Sequence, residues 1–433
     1  MKHFYVSARY KMKLPDGVTS VSGGVIMPSG IPLHTVLRRD LTRRYPHLER
    51  RLLDPQLYLT TLNAATCRKT CAYLASYGWF PATEAFPYDS SAQKQSEWRR
   101  DAESRIVKAW TGQIPTDGEA VDDAIRCCVK VQLQLGVEAL ILPAPLTVDM
   151  GTPFDAELDW LERGLAIAQR VEADRPVLAS VALSDTALRG VDPWENPLLD
   201  LILDQVTARR VDGVYVVLEQ ANEDGYYCTH PNTVGALLRL CNGLKHGGIG
   251  RIVVAFAGTA GLLALVSGAD SWTTGWYRGE RRLRLVDFEQ QEGRAVPAYY
   301  SHPLGGELHM QSDLDRVVGR GFLPRLADST DASEGLLRAL AEGSLVRSVP
   351  EWEHRPSNIN ASTEHFLTIC QRETASLSPL TTEQSEEWAR RWIENATTLA
   401  ADLYAVGSFQ PRTAVNHQHG WQQAFQSYLA NRY

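Results

Sequence analysis

Residues 251–276 read RIVVAFAGTAGLLALVSGADSWTTGW. Arg251-Ile-Val-Val-Ala-Phe256 is a continuous apolar run, Gly258-Thr259 opens a short helix, and Gly268-Ala-Asp270 leads into a second run, Ser271-Trp-Thr-Thr-Gly-Trp276. An unbroken apolar run suits a strand covered on both faces, as in a parallel sheet flanked by helices. The same rhythm extends upstream. Runs at Ala139–Pro143, Val177–Leu183 and Gly213–Leu218 alternate with amphipathic stretches at Ala120–Leu135, Ala156–Glu172, Pro197–Arg209, Val234–Lys245 and Gly261–Ser267. Such alternation defines βα units. An earlier run, Gln56–Leu62, and a later one, Val296–Tyr300, bring the strands to at least seven. This number predicts an α/β fold, a (β/α)8 TIM-type barrel, over a shorter doubly wound sheet. The Rossmann alternative lacks its G-x-G-x-x-G turn after any strand.

The barrel is expected over residues 1–305, with a helical insertion at about 64–120 built from Ala65–Tyr77 and Ala92–Trp110. Past that the rhythm stops, and residues 306–433 read as a carboxy-terminal helical appendage. Its helices are expected at Glu334–Ala341, Thr363–Ala375, Glu383–Tyr404 and Trp421–Asn431, with Thr381 or Thr382 as a cap. A length of 433 residues fits this plan, since ~150 residues per domain gives two or three domains or one large barrel with an addition.

With 44% hydrophobic and 22% charged residues, the chain has the composition of a folded protein. Its 44 Lys and Arg against 51 Asp and Glu leave a net charge of −7. That balance excludes coating nucleic acid by bulk charge and leaves room for a local basic patch. Seven scattered cysteines form no C-x-x-C pair and no zinc-ligand cluster, so reduced, buried thiols are expected. The first residues carry no signal-peptide core, and no apolar run approaches the ~18 residues of a membrane span. A cytoplasmic protein without a membrane partner is expected.

Reactive groups of such barrels sit where strands end and loops begin. That rule selects Asn63, Asp149, Asp185, Glu219, Gly258-Thr259 and His302. Glu219 is the sharpest candidate, because it ends an apolar strand and Glu is a poor helix cap. Asp185 and Asp149 are further catalytic candidates, although an Asp after a strand also reads as a cap. Backbone N–H groups at Gly258-Thr259 are suited to an anion. No cofactor or metal is specified; Asp149, Glu219 and His302 would make a metal site only if the fold brings them together. Two arginine-dense stretches stand out: Arg278, Arg281, Arg282 and Arg284, and Arg38 to Arg51. Arginine suits phosphate, and Trp272, Trp276 and Tyr277 beside the first stretch suit base stacking.

Arg251–Arg282 resembles the part of tRNA-guanine transglycosylases that reads strand, Gly-Thr, a helix with paired leucines, Gly-x-Asp, strand, then an arginine-bearing loop. Gly23-Gly-Val-Ile-Met-Pro-Ser-Gly30 is similar to that family's amino-terminal strand ending in Met-Pro. The resemblance covers about a quarter of the chain. It implies a (β/α)8 barrel that exchanges a guanine-type base in RNA for a 7-deazaguanine through a covalent carboxylate intermediate. Two departures go with it. The family's nucleophilic Asp, three residues after that of Gly-x-Asp, is Thr273 here, and its Cys/His zinc site is missing. Asp270 carries over as the turn residue alone.

The expected function is therefore a transglycosylase-like barrel that binds a nucleic acid or nucleotide through Arg278, Arg281 and Arg282. A guanine or 7-deazaguanine would sit in the mouth beside Asp185 or Glu219, and Thr273, Tyr277 and His302 complete the expected ligand-facing set. The alternatives are an inactive binding subunit of a nucleic-acid modification or defence complex, docking a protein partner through its tail, and a metabolic lyase or isomerase for a phosphorylated small molecule.

Overall fold

In a computed structural model the chain is described over residues 1–9, 11–19, 21–88, 94–148, 154–171, 174–220, 227, 230–289, 295–406 and 417–432. Eight parallel strands form a nearly closed barrel: β1 (His3–Ala8), β2 (Gly23–Ile26), β3 (Arg51–Leu53), β4 (Leu140–Ile141), β5 (Val177–Leu183), β6 (Gly213–Leu218), β7 (Arg251–Ala255) and β8 (Ser271–Gly275). They are paired in the order β3-β2-β1-β8-β7-β6-β5-β4. At the seam between β3 and β4 the Glu138 N–H donates to the Arg51 carbonyl at 2.9 Å. The Glu138 carboxylate meets Tyr5 Oη at 2.6 Å, Arg50 at 3.1 Å, and Arg251. Four strands are thus tied at the amino end of the barrel.

Between β3 and β4 lie α1 (Arg68–Ala75), α2 (Gln95–Ala109) and α3 (Gly118–Leu135). Helices α4 (Asp155–Val171), α5 (Pro197–Thr207), α6 (Pro231–His246) and α7 (Gly261–Val266) follow β4 to β7 in turn. Helix α3 shows how local chemistry sets an element's ends. The Asp117 side chain accepts from Glu119 and Ala120 N–H at its start, and Gly136 takes φ 62° at its end. The tail carries α8 (Ile359–Leu377), α9 (Thr382–Val406) and α10 (His417–Asn431). Thr381 caps α9, with its Oγ1 accepting from Gln384 N–H at 3.3 Å and its own N–H donating to Gln384 Oε1 at 3.0 Å.

Two expected barrel strands are something else. Residues 56–62 are not a strand: Pro55 and a left-handed Gln56 (φ 53°) turn the chain at the end of β3, and Leu57–Leu59 is a 3-10 turn. It reads as apolar because it is buried on every side, which periodicity alone does not separate from a strand. The run at 296–300 yields β9 (Ala298–Ser301), which pairs antiparallel with β10 (Gly306–His309) in a separate two-stranded sheet. The barrel takes β1 to β3 from the first 53 residues instead.

Tyr5, Val25, Tyr215 and Val253 belong to an apolar core shared with the insertion. The outward residues Phe4, Val6, Val216 and Trp272 share a second core with Phe366, Trp392 and Trp421 of the tail. Trp272 Nε1 donates to Thr374 Oγ1 of α8 at 2.8 Å.

Candidate functional site at the carboxyl-end mouth of the barrel

Side chains alternate along a strand, so residues of the parity of Tyr215 and Val217 face the barrel axis. Glu219, next in that row, leaves β6 on the inner side at the mouth. Its carboxylate is held by the backbone N–H groups of Asp185 and Leu285. Burial raises its pKa, the two N–H bonds oppose the rise, and the nearby Asp185 charge adds to it. Glu219 and Asp185 are therefore brought together. Asp185 itself is buried and committed: its oxygens take Arg189 at 2.6 Å and Thr233 Oγ1 at 2.9 Å, while Ser184 caps the short helix they begin.

A carboxylate that sequence reading passed over stands at the end of β3. Asp54 is fully buried. Its carboxylate accepts from Tyr58 Oη at 2.6 Å, Tyr215 Oη at 3.0 Å and Gln56 N–H at 3.0 Å. Burial, outweighing these three bonds, raises its pKa to about 6. The Tyr215 bond fastens the end of β3 to the strand that carries Glu219. The signal in the sequence was Asp54-Pro55 after Leu52-Leu53, but three residues make too short a run to announce a strand. Arg9, one residue past β1, is buried as well, with its guanidinium 3.9 Å from the Phe288 ring centroid and Nη1 on the Gly279 carbonyl at 3.3 Å.

Backbone strain gathers at the same face. Among the described residues, Gln56 (φ 53°) and Phe256 (φ 55°) are the non-glycine residues with positive φ, and they follow β3 and β7. Each costs on the order of 1–3 kcal/mol, which the packing around it must offset.

The loop after β8 lies across the mouth. Leu283 bridges to Glu219 and Arg282 to Ala257, and the Gln220 N–H donates to the Leu283 carbonyl at 2.8 Å. Gly258 (φ 53°) spends its N–H on the Arg281 carbonyl at 2.7 Å, and Thr259 is fully buried. The loop's arginines turn inward. Arg278 and Arg281 each reach Glu307 of β10 at 2.8 Å, and Arg281 stacks on Phe366 at 3.4 Å. Arg282 and Arg284 meet Asp287 at 3.6 and 2.5 Å. Tyr277 lies beside Glu280, whose carboxylate accepts from the Trp276 and Tyr277 N–H groups at 2.9 and 3.2 Å.

Thr273 lies in the middle of β8, fully buried, 3.0 Å from Ser7 Oγ of β1. Asp270 is at the amino end of β8, where it accepts from Ile252 N–H at 2.9 Å and pairs with Lys245 at 2.8 Å. His302 sits in the β9–β10 turn, stacked on Trp392 (5.0 Å, 9°) and 3.4 Å from Glu373. Burial lowers its pKa against the pull of Glu373. Tail residues, not mouth residues, surround it. Asp149 lies outside the described residues. Among the described residues no group of three His, Cys, Asp or Glu side chains is placed to hold a metal ion.

The chain matches no protein-family model and no curated protein. The mouth's own chemistry is what remains: a half-buried Glu219 held by backbone N–H groups, a buried Asp54–tyrosine cluster, and strain on either side. No described helix is long and apolar enough to cross a membrane. Of the cysteines, Cys67, Cys71, Cys128, Cys241 and Cys370 are buried free thiols and Cys127 is half-buried.

Proposed function

We propose that this barrel takes a guanine or 7-deazaguanine-type base at its carboxyl-end mouth, presented on a nucleic acid or a nucleotide, and exchanges it. The observation that carries the reading is Glu219: an inward carboxylate ending a barrel strand, held by two N–H groups in a desolvated setting. Ionised, it is suited to attack the anomeric carbon of the sugar; protonated, to donate to a leaving base. Asp54 is a positioning residue, acting through Tyr215 on the strand that carries Glu219. The resemblance of Arg251–Arg282 to the transglycosylases supports the same substrate class.

A second reading, a barrel that binds without chemistry, draws on Thr273. The residue at the family's nucleophile position is an uncharged side chain buried against Ser7.

The test is incorporation of radiolabelled guanine and 7-deazaguanine into RNA and single-stranded DNA, with calorimetry on the free bases. Exchange in the parent, lost in Glu219→Gln at an unchanged melting temperature, supports the first reading. Base binding without exchange supports the second. No binding of either base by the parent sinks both.

A further inference from the structure

The loop after β8 meets the mouth at alternate residues, Arg281, Leu283 and Leu285. The Arg281 carbonyl accepts from Gly258 N–H at 2.7 Å, and the Leu283 carbonyl accepts from Gln220 N–H at 2.8 Å. Leu285 N–H donates to the Glu219 carboxylate. Between the first two contacts Arg282 bridges to Ala257. The loop thus supplies one of the two N–H groups on Glu219. The other, from Asp185, belongs to the short helix Asp185–Arg189, which Ser184 caps. That donor is fixed by an element of its own. The Leu285 N–H is carried by the loop, so its place depends on what holds the loop down. Of the contacts that do so, the one next to Glu219 in the chain is made by Gln220.

Gln220 is buried, and its side chain does a second task. Successive residues leave a strand on opposite sides, so Gln220 points away from the inner side that Glu219 takes. There it reaches the end of β7, where Nε2 donates to the Phe256 carbonyl at 2.8 Å. Phe256 is fully buried and left-handed (φ 55°), and it directly precedes the bridge at Ala257. A bulky residue keeps that conformation where the packing around it dictates it. A buried carbonyl also requires a donor, and the Gln220 amide is that donor. One residue therefore binds the loop with its backbone and the strained turn beneath the loop with its side chain. The charges around Glu219 are already engaged. Asp185 faces it from the end of β5 and is paired with Arg189 at 2.6 Å, while Arg282 and Arg284 of the loop meet Asp287.

We infer that Gln220 is a positioning residue for Glu219, holding the turn at Phe256 and the loop at Leu283 so that the Leu285 N–H stays on the Glu219 carboxylate. The inference rests on the reading of Glu219 as the acting carboxylate of the mouth. Without the amide, the turn at Phe256 relaxes, the contacts at Ala257 and Gly258 loosen, and the Leu285 N–H leaves the carboxylate. An N–H bond to a carboxylate favours its ionised form, so Glu219 then keeps its proton to higher pH. A residue that only satisfied a buried carbonyl would lower stability and leave the Glu219 titration where it was.

The test is the titration of the Glu219 carboxyl in the full chain labelled with ¹³C-glutamate, its signal identified by its absence in Glu219→Gln, together with amide hydrogen exchange at Leu285. Gln220→Met keeps the length of the side chain and removes the donor. It should raise the Glu219 midpoint and speed exchange at Leu285 about fivefold, the factor that one ordinary hydrogen bond is worth. Gln220→Asn, which stops the amide one methylene short of Phe256, should move both readouts the same way by less, and it decides the matter if Gln220→Met does not fold. A Glu219 midpoint or a Leu285 exchange rate at the parent value overturns the inference, even where the melting temperature falls. Neither readout uses a base. Parent protein that exchanges no guanine while both shifts occur overturns the mouth reading alone; guanine exchange with an unmoved midpoint overturns the Gln220 assignment alone.

Discussion

Asp54 concentrates the physics of the mouth in one carboxyl group. Its pKa of about 6 in the fold stands above the ~3.9 of an unfolded Asp, so the native state holds the proton more tightly. Stability from this group is then full below about pH 4 and is lost as pH rises through about 6, on the order of 3 kcal/mol in all. Asp54→Asn is expected to flatten that part of the stability curve in urea titrations run across the same pH range. Tyr215→Phe removes a donor that favours the ionised form. It should therefore destabilise the protein more at about pH 8 than at about pH 5, by about 1–2 kcal/mol at the higher pH. Equal losses at both pH values would mean that the hydroxyl does not serve the carboxylate. Glu219 was legible in the sequence because it interrupts an apolar run. Asp54 was not, because what makes it unusual is the tyrosine arriving from a strand some 160 residues away, a contact that spacing does not encode.

The elements follow the same division. Strands β5 and β6 are found where the apolar runs begin and end, since a strand covered on both faces reads as a nearly continuous apolar run, with Ser180 of β5 the one half-buried position in the two. The loop from Trp276 to Phe288 reads as a basic patch in sequence, yet β10 supplies the buried Glu307 that draws Arg278 and Arg281 inward. Burial alone would raise the Glu307 pKa; the two guanidinium groups outweigh it and bring it down to about 2. The stability from this group is thus present above the ~4.3 of an unfolded Glu and is lost as pH falls toward about 2. Glu307→Gln removes the buried carboxylate that the half-buried Arg278 and the buried Arg281 both meet and should cost about 3 kcal/mol at neutral pH, read by thermal or urea unfolding. A loss under about 1 kcal/mol would show that the loop's arginines find water instead.

For the whole molecule, the tail completes the barrel's outer wall. Phe4, Val6 and Trp272 on the outside of β1 and β8 share one core with Phe366, Trp392 and Trp421, and His302 is enclosed by Trp388, Trp392 and Glu373. Residues 1–305 expressed alone should therefore be insoluble or bind hydrophobic dyes, and co-expression with 306–433 should restore a folded complex. A monomeric, cooperatively melting 1–305 fragment would contradict this. By itself the sequence determined the α/β barrel and the helical tail, because strand burial and helix amphipathicity are written in local periodicity. The tertiary structure decided which strands close the ring, which arginines stay exposed and which carboxylate meets the tyrosines. Each of those outcomes is a pairing between distant segments, and its energy comes from desolvation and counter-charge that exist only once the chain is packed.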